Sequence, residues 1–264
     1  RDKPEVLRRM RGVLKGFSDD DWRYVTAAYW ATITFLDSEV GRLIDRLTSL
    51  DLLENTVFVF TSDHGDMLGG HGLAAKGVGT SYEEVYNIPL VMRVPGKTPL
   101  GDLSDGLVTL ADIGPTLLEL LDLPSLNPCH GRSFTSLFDG GGTEDFRESY
   151  AEFFGQRFVY TQRIVWKDDW KYVFSPGGID ELYNLAEDPH ERNNLAARLE
   201  YQDHLREMVS LMWKWMRRIG DESLLNTNYV TLRTAPIGPE TSNLRESRTT
   251  GLAENDPIEN SPSG

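Results

Sequence analysis

The sequence predicts an α/β fold, and three observations predict it. A long helical pattern runs directly into an apolar stretch at residues 56–62 that lacks polar alternation. Helix and strand patterns then keep alternating to about residue 121, as α/β chains do. From residue 150 the pattern changes to short strand-like runs joined by polar turns, which predicts an antiparallel meander closed by a final helix.

The first long helix is announced by Ser18 with Asp21 three residues on, a capping box with Asp in place of Glu. Val25, Tyr29, Ile33, Leu36, Val40, Leu43, Leu47 and Leu50 follow at helical spacing. Residues 56–62 read as a buried parallel strand. Residues 63–79 carry six glycines (65, 69, 70, 72, 77, 79), too many for a helix, so they form a loop where open α/β sheets place their sites. A short helix at 82–86 and a second buried strand at 88–94 follow. A helix at 111–121 comes next, with Pro115 placed in its first turn, where a missing N–H costs nothing. The meander is drawn from runs at 150–154, 157–166 and 170–174, with turns at Gly155-Gln156 and Lys167-Asp168-Asp169. A last helix at 195–219 presents Leu199, Leu205, Val209, Met212, Trp213 and Met216, is expected to pack on the meander, and stops at Gly220.

Composition excludes several functions. The 264 residues hold 27 basic and 41 acidic side chains, a net charge of −14 that repels phosphate backbones and acidic membrane surfaces, so neither nucleic acid nor membrane is a predicted partner. Cys129 is the one cysteine, which rules out an internal disulfide and a thiolate zinc cage, and it is expected to be a buried packing thiol. No apolar run approaches the roughly 20 residues of a membrane helix, and the basic opening has no signal-peptide core, so the chain is read as soluble with its compartment open. Residues 1–18 read as a basic lead-in internal to a longer parent, 19–149 as the α/β part, 150–222 as the antiparallel part and 223–264 as a disordered tail.

Chemistry concentrates after the first strand. Asp63 and His64 place an oxygen and an imidazole nitrogen side by side at a strand end, two of the donors a divalent cation needs. Gly65 permits an immediate turn. Lys76, thirteen residues beyond Asp63, can return on the glycine-rich loop as a cationic anchor for an oxyanion. A blander reading makes Asp63 a turn cap and leaves Asp66 solvated.

Thr61-Ser-Asp-His-Gly-Asp66, Gly70-His-Gly72, Lys76, Tyr82-Glu-Glu84 and Ile88-Pro-Leu-Val-Met-Arg-Val-Pro-Gly96 resemble the sulfatases of the alkaline phosphatase superfamily. Leu36-Asp37-Ser-Glu-Val-Gly-Arg42, Asp112-Ile-Gly-Pro-Thr116, Gly131-Arg-Ser133 and Leu182-Tyr-Asn-Leu185 with Asp188-Pro-His-Glu191 extend the likeness, in order, over residues 24–195. The resemblance implies an alkaline-phosphatase-like α/β/α sandwich, present here without its upstream half, ahead of the antiparallel sheet and helix. It implies hydrolysis of a small-molecule or saccharide sulfate ester by a formylglycine hydrate on one divalent metal. Asp63 and His64 match metal ligands, and Lys76 matches the lysine that contacts the sulfate and serves catalysis. His71 is a candidate for substrate contact, with a structural role as the alternative. Calcium is the metal implied by resemblance; the His64 imidazole also suits manganese, zinc or iron.

The family's nucleophile motif, a Cys or Ser followed by any residue, Pro, Ser or Ala, and Arg, does not occur here. Cys129 lies after the metal loop and lacks the proline, so this chain has no nucleophile, and formylglycine is expected in the parent alone. The isolated chain is expected to bind metal weakly and hydrolyse nothing. Two rival readings remain: phosphonate or phosphate ester hydrolysis on the same scaffold, and a non-catalytic remnant. Tyr82, Glu83 and Glu84 are read as a solvated helix face. Trp166, Trp170, Trp213 and Trp215 are read as packing residues, and Asp188-Pro189 with Asn193-Asn194 as turn chemistry.

Overall fold

The computed structural model describes residues 2–77, 79–99, 101–155 and 160–225. Two compact units are distinguished, Arg1–Gln202 and a second beginning at Asp203. The first contains α1 (Glu5–Val13), α2 (Asp19–Ser49), β1 (Phe58–Thr61), α3 (Glu83–Tyr86), β2 (Leu90–Arg93), α4 (Leu110–Leu120), β3 (Glu148–Phe153), β4 (Gln162–Lys167), β5 (Trp170–Phe174) and β6 (Glu181–Asn184). The chain is thus mixed α/β, with helices and antiparallel sheets.

Ser18 caps α2 as its spacing predicts. Its hydroxyl accepts from the Asp21 amide at 3.2 Å, while the Asp21 carboxylate accepts from the Ser18 amide at 2.8 Å. Asp19, Asp20 and Asp21 in the first turn and Arg46 in the last complement the helix dipole. The apolar spacing is helical, yet no residue of α2 is buried, and Trp30 and Phe35 are 66% and 68% exposed.

The two strands expected to be buried and parallel are instead antiparallel partners. Phe58 stands opposite Arg93 and Thr61 opposite Leu90 in a two-stranded sheet. Each strand has a single neighbour among the described residues, so β1 is only half-buried and Val91 of β2 is 58% exposed. The pairing is pinned at one end by Arg93, which donates to the Leu53 carbonyl at 2.7 Å and to Glu54 at 2.6 Å.

Pro115 is the sixth residue of α4 rather than part of its first turn; Thr109 and Asp112 cap a helix that starts at Leu110, and even from residue 111 the proline is the fifth. Proline in that position offers no N–H to the Ala111 carbonyl. Gly131 packs against that carbonyl so tightly that a Cβ on it would sit 1.9 Å from the oxygen. Around this contact the Arg132 amide donates to Asp112 at 2.8 Å, the Thr116 hydroxyl to the Asp112 carbonyl at 2.6 Å, and the Phe134 amide to the Thr116 hydroxyl at 3.1 Å. The motifs at 112–116 and 131–133 are therefore one structural clip. Cys129, expected to be buried, is exposed within a surface segment just before it.

Strands β3 to β6 form an antiparallel sheet in chain order. The expected run at 157–166 begins partly outside the described residues, as does the Gly155-Gln156 turn; β4 starts at Gln162. Strand β6 has no counterpart in the sequence reading, since Glu181 within a four-residue run contradicts strand propensity. It is held by Asn194, whose amide oxygen accepts from the Leu182 and Ala196 amides at 3.0 and 2.9 Å.

One hydrophobic cluster joins Leu7, Met67, Leu73, Tyr82, Val85 and Tyr183; another joins Ile164, Trp166 and Val173. Within the segment read as a lead-in, α1 buries Leu7 to 1% exposure in the first cluster. Lys3 beside it bonds the Tyr183 hydroxyl and the Glu191 carbonyl and pairs with Glu181 at 3.5 Å. In the second unit, α5 (Gln202–Ile219) starts later than predicted, leaving Leu199 in a preceding 3-10 turn and 87% exposed. Its buried residues include Met208, Met212, Trp213 and Met216. Gly220, at φ +71°, ends it as expected, and α6 (Glu222–Leu225) follows. No described helix is long and apolar enough to cross a membrane. The tail expected to be disordered from residue 223 instead begins inside α6, where residues 223–225 are helical; from residue 226 onward it lies outside the described residues.

Candidate metal and oxyanion site

Beyond β1 the chain turns within two residues. The Ser62 hydroxyl donates to the His64 carbonyl at 2.8 Å and the His64 amide to the Asp63 carboxylate at 3.0 Å, so the Asp-His pair closes its own turn. Gly65 then passes beneath α3. Its amide donates to the Val85 carbonyl at 2.9 Å, and a Cβ there would meet the Glu84 carbonyl oxygen at 2.0 Å. Only glycine permits this approach.

The loop closes through Asp66, which is not solvated: its carboxylate accepts from the Leu68 amide at 2.8 Å and the Ala75 amide at 3.1 Å. With Met67 donating to the Ala75 carbonyl at 3.1 Å and Gly69 to Leu73 at 2.8 Å, residues 66–75 form a closed hairpin-like excursion. That closure returns Lys76 to His64, where its ammonium contacts Nε2.

Chemistry fixes the imidazole's tautomer. Nδ1 lies 2.7 Å from the Gly65 carbonyl oxygen, which can only accept, so Nδ1 carries the proton and Nε2 presents a lone pair. Nε2 is 3.4 Å from the Asp63 carboxylate. Slight desolvation opposes ionisation of Asp63, but the neighbouring His64, its amide and Lys76 outweigh it and hold the carboxyl below its ordinary range. The group therefore offers one ionised carboxylate, one imidazole lone pair and one ammonium, with Asp63 and Lys76 open to solvent.

A divalent ion takes more than two protein donors in nearly every site. Asp63 and His64 have the right chemistry for part of a shell, but no group of three or more His, Cys, Asp or Glu side chains suited to a metal occurs among the described residues. The described chain does not by itself fit a metal.

His71 sits elsewhere. Its ring stacks on Tyr82 with centroids 3.7 Å apart and planes 8° from parallel, and Arg11 donates to its carbonyl at 2.5 Å. Burial, reinforced by the positive charges of Lys3 and Arg11, lowers its pKa to about 4. Among the described residues no hydrogen bond or ion pair joins it to Asp63, His64 or Lys76.

Tyr82, Glu83 and Glu84 are not a solvated face. Tyr82 is 1% exposed, and Glu83 accepts from the Trp166 indole at 2.9 Å and from Lys171 at 2.8 Å. Lys171 and Glu191, both fully buried, pair at 2.8 Å. Sequence reasoning missed this group because Glu83 lies 88 residues from Lys171 and 108 from Glu191. A lysine inside the hydrophobic run of β5 was the one local signal. Trp166 and Trp213 are buried as expected, and the Asp188 carboxylate accepts the Asn193 amide at 2.7 Å in a turn.

Comparison with known proteins gives a consistent picture. The family described as Sulfatase matches residues 4–123, and the family described as N-sulphoglucosamine sulphohydrolase, C-terminal, matches residues 69–218. The chain is 29% identical over 226 residues to an N-acetylglucosamine-6-O-sulfatase of Bacteroides thetaiotaomicron, covering 82% of this chain and 40% of that protein. A solved structure in complex with its substrate D-glucosamine-2-N,6-O-disulfate superposes with a TM-score of 0.68 at 27% identity, covering 73% of this chain and 40% of the other. The phosphonate monoester hydrolase of Agrobacterium radiobacter also superposes at 0.68, with 26% identity over 78% of this chain and 43% of the other. This chain thus spans less than half the length of each of these three proteins.

Proposed function

Since the chain belongs to the sulfatase family, we propose that it is one portion of a metal-dependent, arylsulfatase-like sulfuric ester hydrolase, contributing two metal ligands and a sulfate-binding lysine but no nucleophile. The observation that carries this reading is the return of Lys76 to the Nε2 side of His64, beside the Asp63 carboxylate. A divalent metal, when bound, supplies acidification of an attacking hydroxyl and charge on an ester oxygen. Asp63 and His64 would hold it together with donors from outside the described chain. Lys76 neutralises a second oxygen of the tetrahedral anion as charge develops there. His71, packed on Tyr82, supports the loop that carries these groups rather than touching substrate. A sulfated amino sugar is the substrate class this reading favours, supported by the N-acetylglucosamine-6-O-sulfatase and the glucosamine-disulfate complex among the matched proteins, and formylglycine would come from the portion of the parent that carries the nucleophile.

The likeness to a phosphonate monoester hydrolase supports a second reading, hydrolysis of a phosphonate or phosphate ester at the same residues. Manganese titration into the chain labelled with ¹⁵N-histidine tests the shared core of both. Selective, weak broadening of His64 that disappears in Asp63→Asn is expected; unaffected His64 signals refute it. Assays of aryl sulfate and aryl phosphonate complete the test. The chain alone should turn over neither, and a fusion to the upstream portion of a matched sulfatase should favour sulfate. Robust turnover by the chain alone contradicts the missing nucleophile.

A further inference from the structure

We propose that Glu83, Lys171 and Glu191 are positioning residues for His64: a charge triad, with Lys171 and Glu191 fully buried and Glu83 partly so, that anchors α3 to the antiparallel sheet and, through α3, sets the turn that orients the imidazole. The path is continuous. Lys171 of β5 has no exposed side-chain surface and lies 2.8 Å from both Glu83 and Glu191. Glu191 in turn accepts the Glu83 amide at 2.7 Å, while the Trp166 indole of β4 donates to the Glu83 carboxylate at 2.9 Å. Glu83 is thus held by side chain and backbone together.

The helix so held is four residues long, too short to keep its place by its own hydrogen bonds. It nevertheless forms the surface on which Gly65 turns, through the Val85 carbonyl at 2.9 Å and the Glu84 carbonyl against the Gly65 Cα. Gly65 supplies the carbonyl that accepts from Nδ1 of His64 at 2.7 Å and so leaves Nε2 free of a proton. If α3 shifts, Gly65 is released and the tautomer is no longer dictated. Such a triad is a costly arrangement for stability alone, since apolar side chains of similar volume often serve as well.

The inference rests on the proposed function only for what His64 does, and its test needs neither metal nor substrate, so its failure is distinct from a failed manganese titration. In Glu83→Gln the Gly65 amide should exchange about tenfold faster than in the unaltered chain, while the amides of Val165 and Tyr172 in β4 and β5 keep their rates. The His64 ¹⁵N signals should move from a single Nδ1–H pattern toward a mixture. Lys171→Arg, which keeps the charge, should preserve that pattern. Unchanged Gly65 and His64 signals overturn the proposal, as does uniform acceleration of all three amides. Should Glu83→Gln fail to fold, Trp166→Phe, which removes one donor to the same carboxylate, should give the same local response in smaller measure and is judged by the same outcomes.

Discussion

Replacing Gly65 by alanine isolates the contact on which the site is built. The position is not in the left-handed region, so an alanine backbone is acceptable there, and the cost comes from collision alone. The new Cβ would lie 2.0 Å from the Glu84 carbonyl oxygen and 3.0 Å from its carbon, both backbone atoms that cannot rotate away. Either α3 or the turn must move, which breaks the 2.9 Å bond from Gly65 to Val85. Overpacking of this kind costs about 1–3 kcal/mol, and the lost hydrogen bond adds about 1, giving a loss of about 2–4 kcal/mol. With a urea dependence of roughly 2 kcal/mol per molar, the unfolding midpoint should fall by about 1–2 M. Gly41→Ala is the control. It lies inside α2 with nothing within 4 Å of its would-be Cβ, so it should gain about 0.5–1 kcal/mol from helix propensity. Urea melts of the two variants should shift in opposite directions. A Gly65→Ala midpoint equal to that of the unaltered chain would show that α3 does not constrain the turn.

Other perturbations have equally definite outcomes. Lys3→Ala strips a cation from Glu181, which is 2% exposed, and should cost about 2–4 kcal/mol in a thermal or urea melt; a change under about 0.5 means α1 is not anchored there. Gly131→Ala should destabilise by about 2–3 kcal/mol, because its Cβ would meet the Ala111 carbonyl at 1.9 Å, and retention of full stability refutes the clip. His71 and Glu191 impose opposite pH dependences. The folded-state pKa of His71 is depressed to about 4, so its contribution is complete above about pH 6.5 and drains away as pH falls. Burial raises Glu191 to about 7 despite Lys171, so its contribution is complete below about pH 4.5 and drains away as pH rises. After allowance for solvent screening, each amounts to at most about 1 kcal/mol per pH unit, and the unaltered chain should be nearly flat between them. His71→Phe should expose stability that declines with rising pH, and Glu191→Gln stability that declines with falling pH; flat profiles in both refute the assignment.

Local codes were legible and partnerships were not. The Ser18–Asp21 cap, the Gly220 stop and the glycine-rich loop after β1 are written in neighbouring residues, and each stands where spacing puts it. The pairing of β1 with β2 depends on which strand is available, and an unalternated apolar run says nothing about direction. Pro115 was misplaced because even a helix starting at residue 111 puts it fifth, beyond the first turn, and a proline in the second turn is tolerated once Gly131 fills the space beside the orphaned carbonyl. The meeting of Asp63, His64 and Lys76 could be expected from their order, since loop closure by Asp66 is local. The Glu83–Lys171–Glu191 group could not, because buried ion pairs join residues whose separation carries no pattern. Apolar spacing in α2 likewise predicts a face without predicting what covers it.

The contact between Lys76 and Nε2 of His64 has a consequence for how the centre fills. On the proposed reading, the Lys76 ammonium stands against the imidazole nitrogen that would hold a divalent ion. Asp63 and His64 would hold such an ion only once Lys76 gives up this contact, which would leave its ammonium available to an anion. Cutting the tether with Lys76→Ala should raise metal uptake and abolish anion capture together, which makes the side chain gatekeeper to one ligand and host to the next.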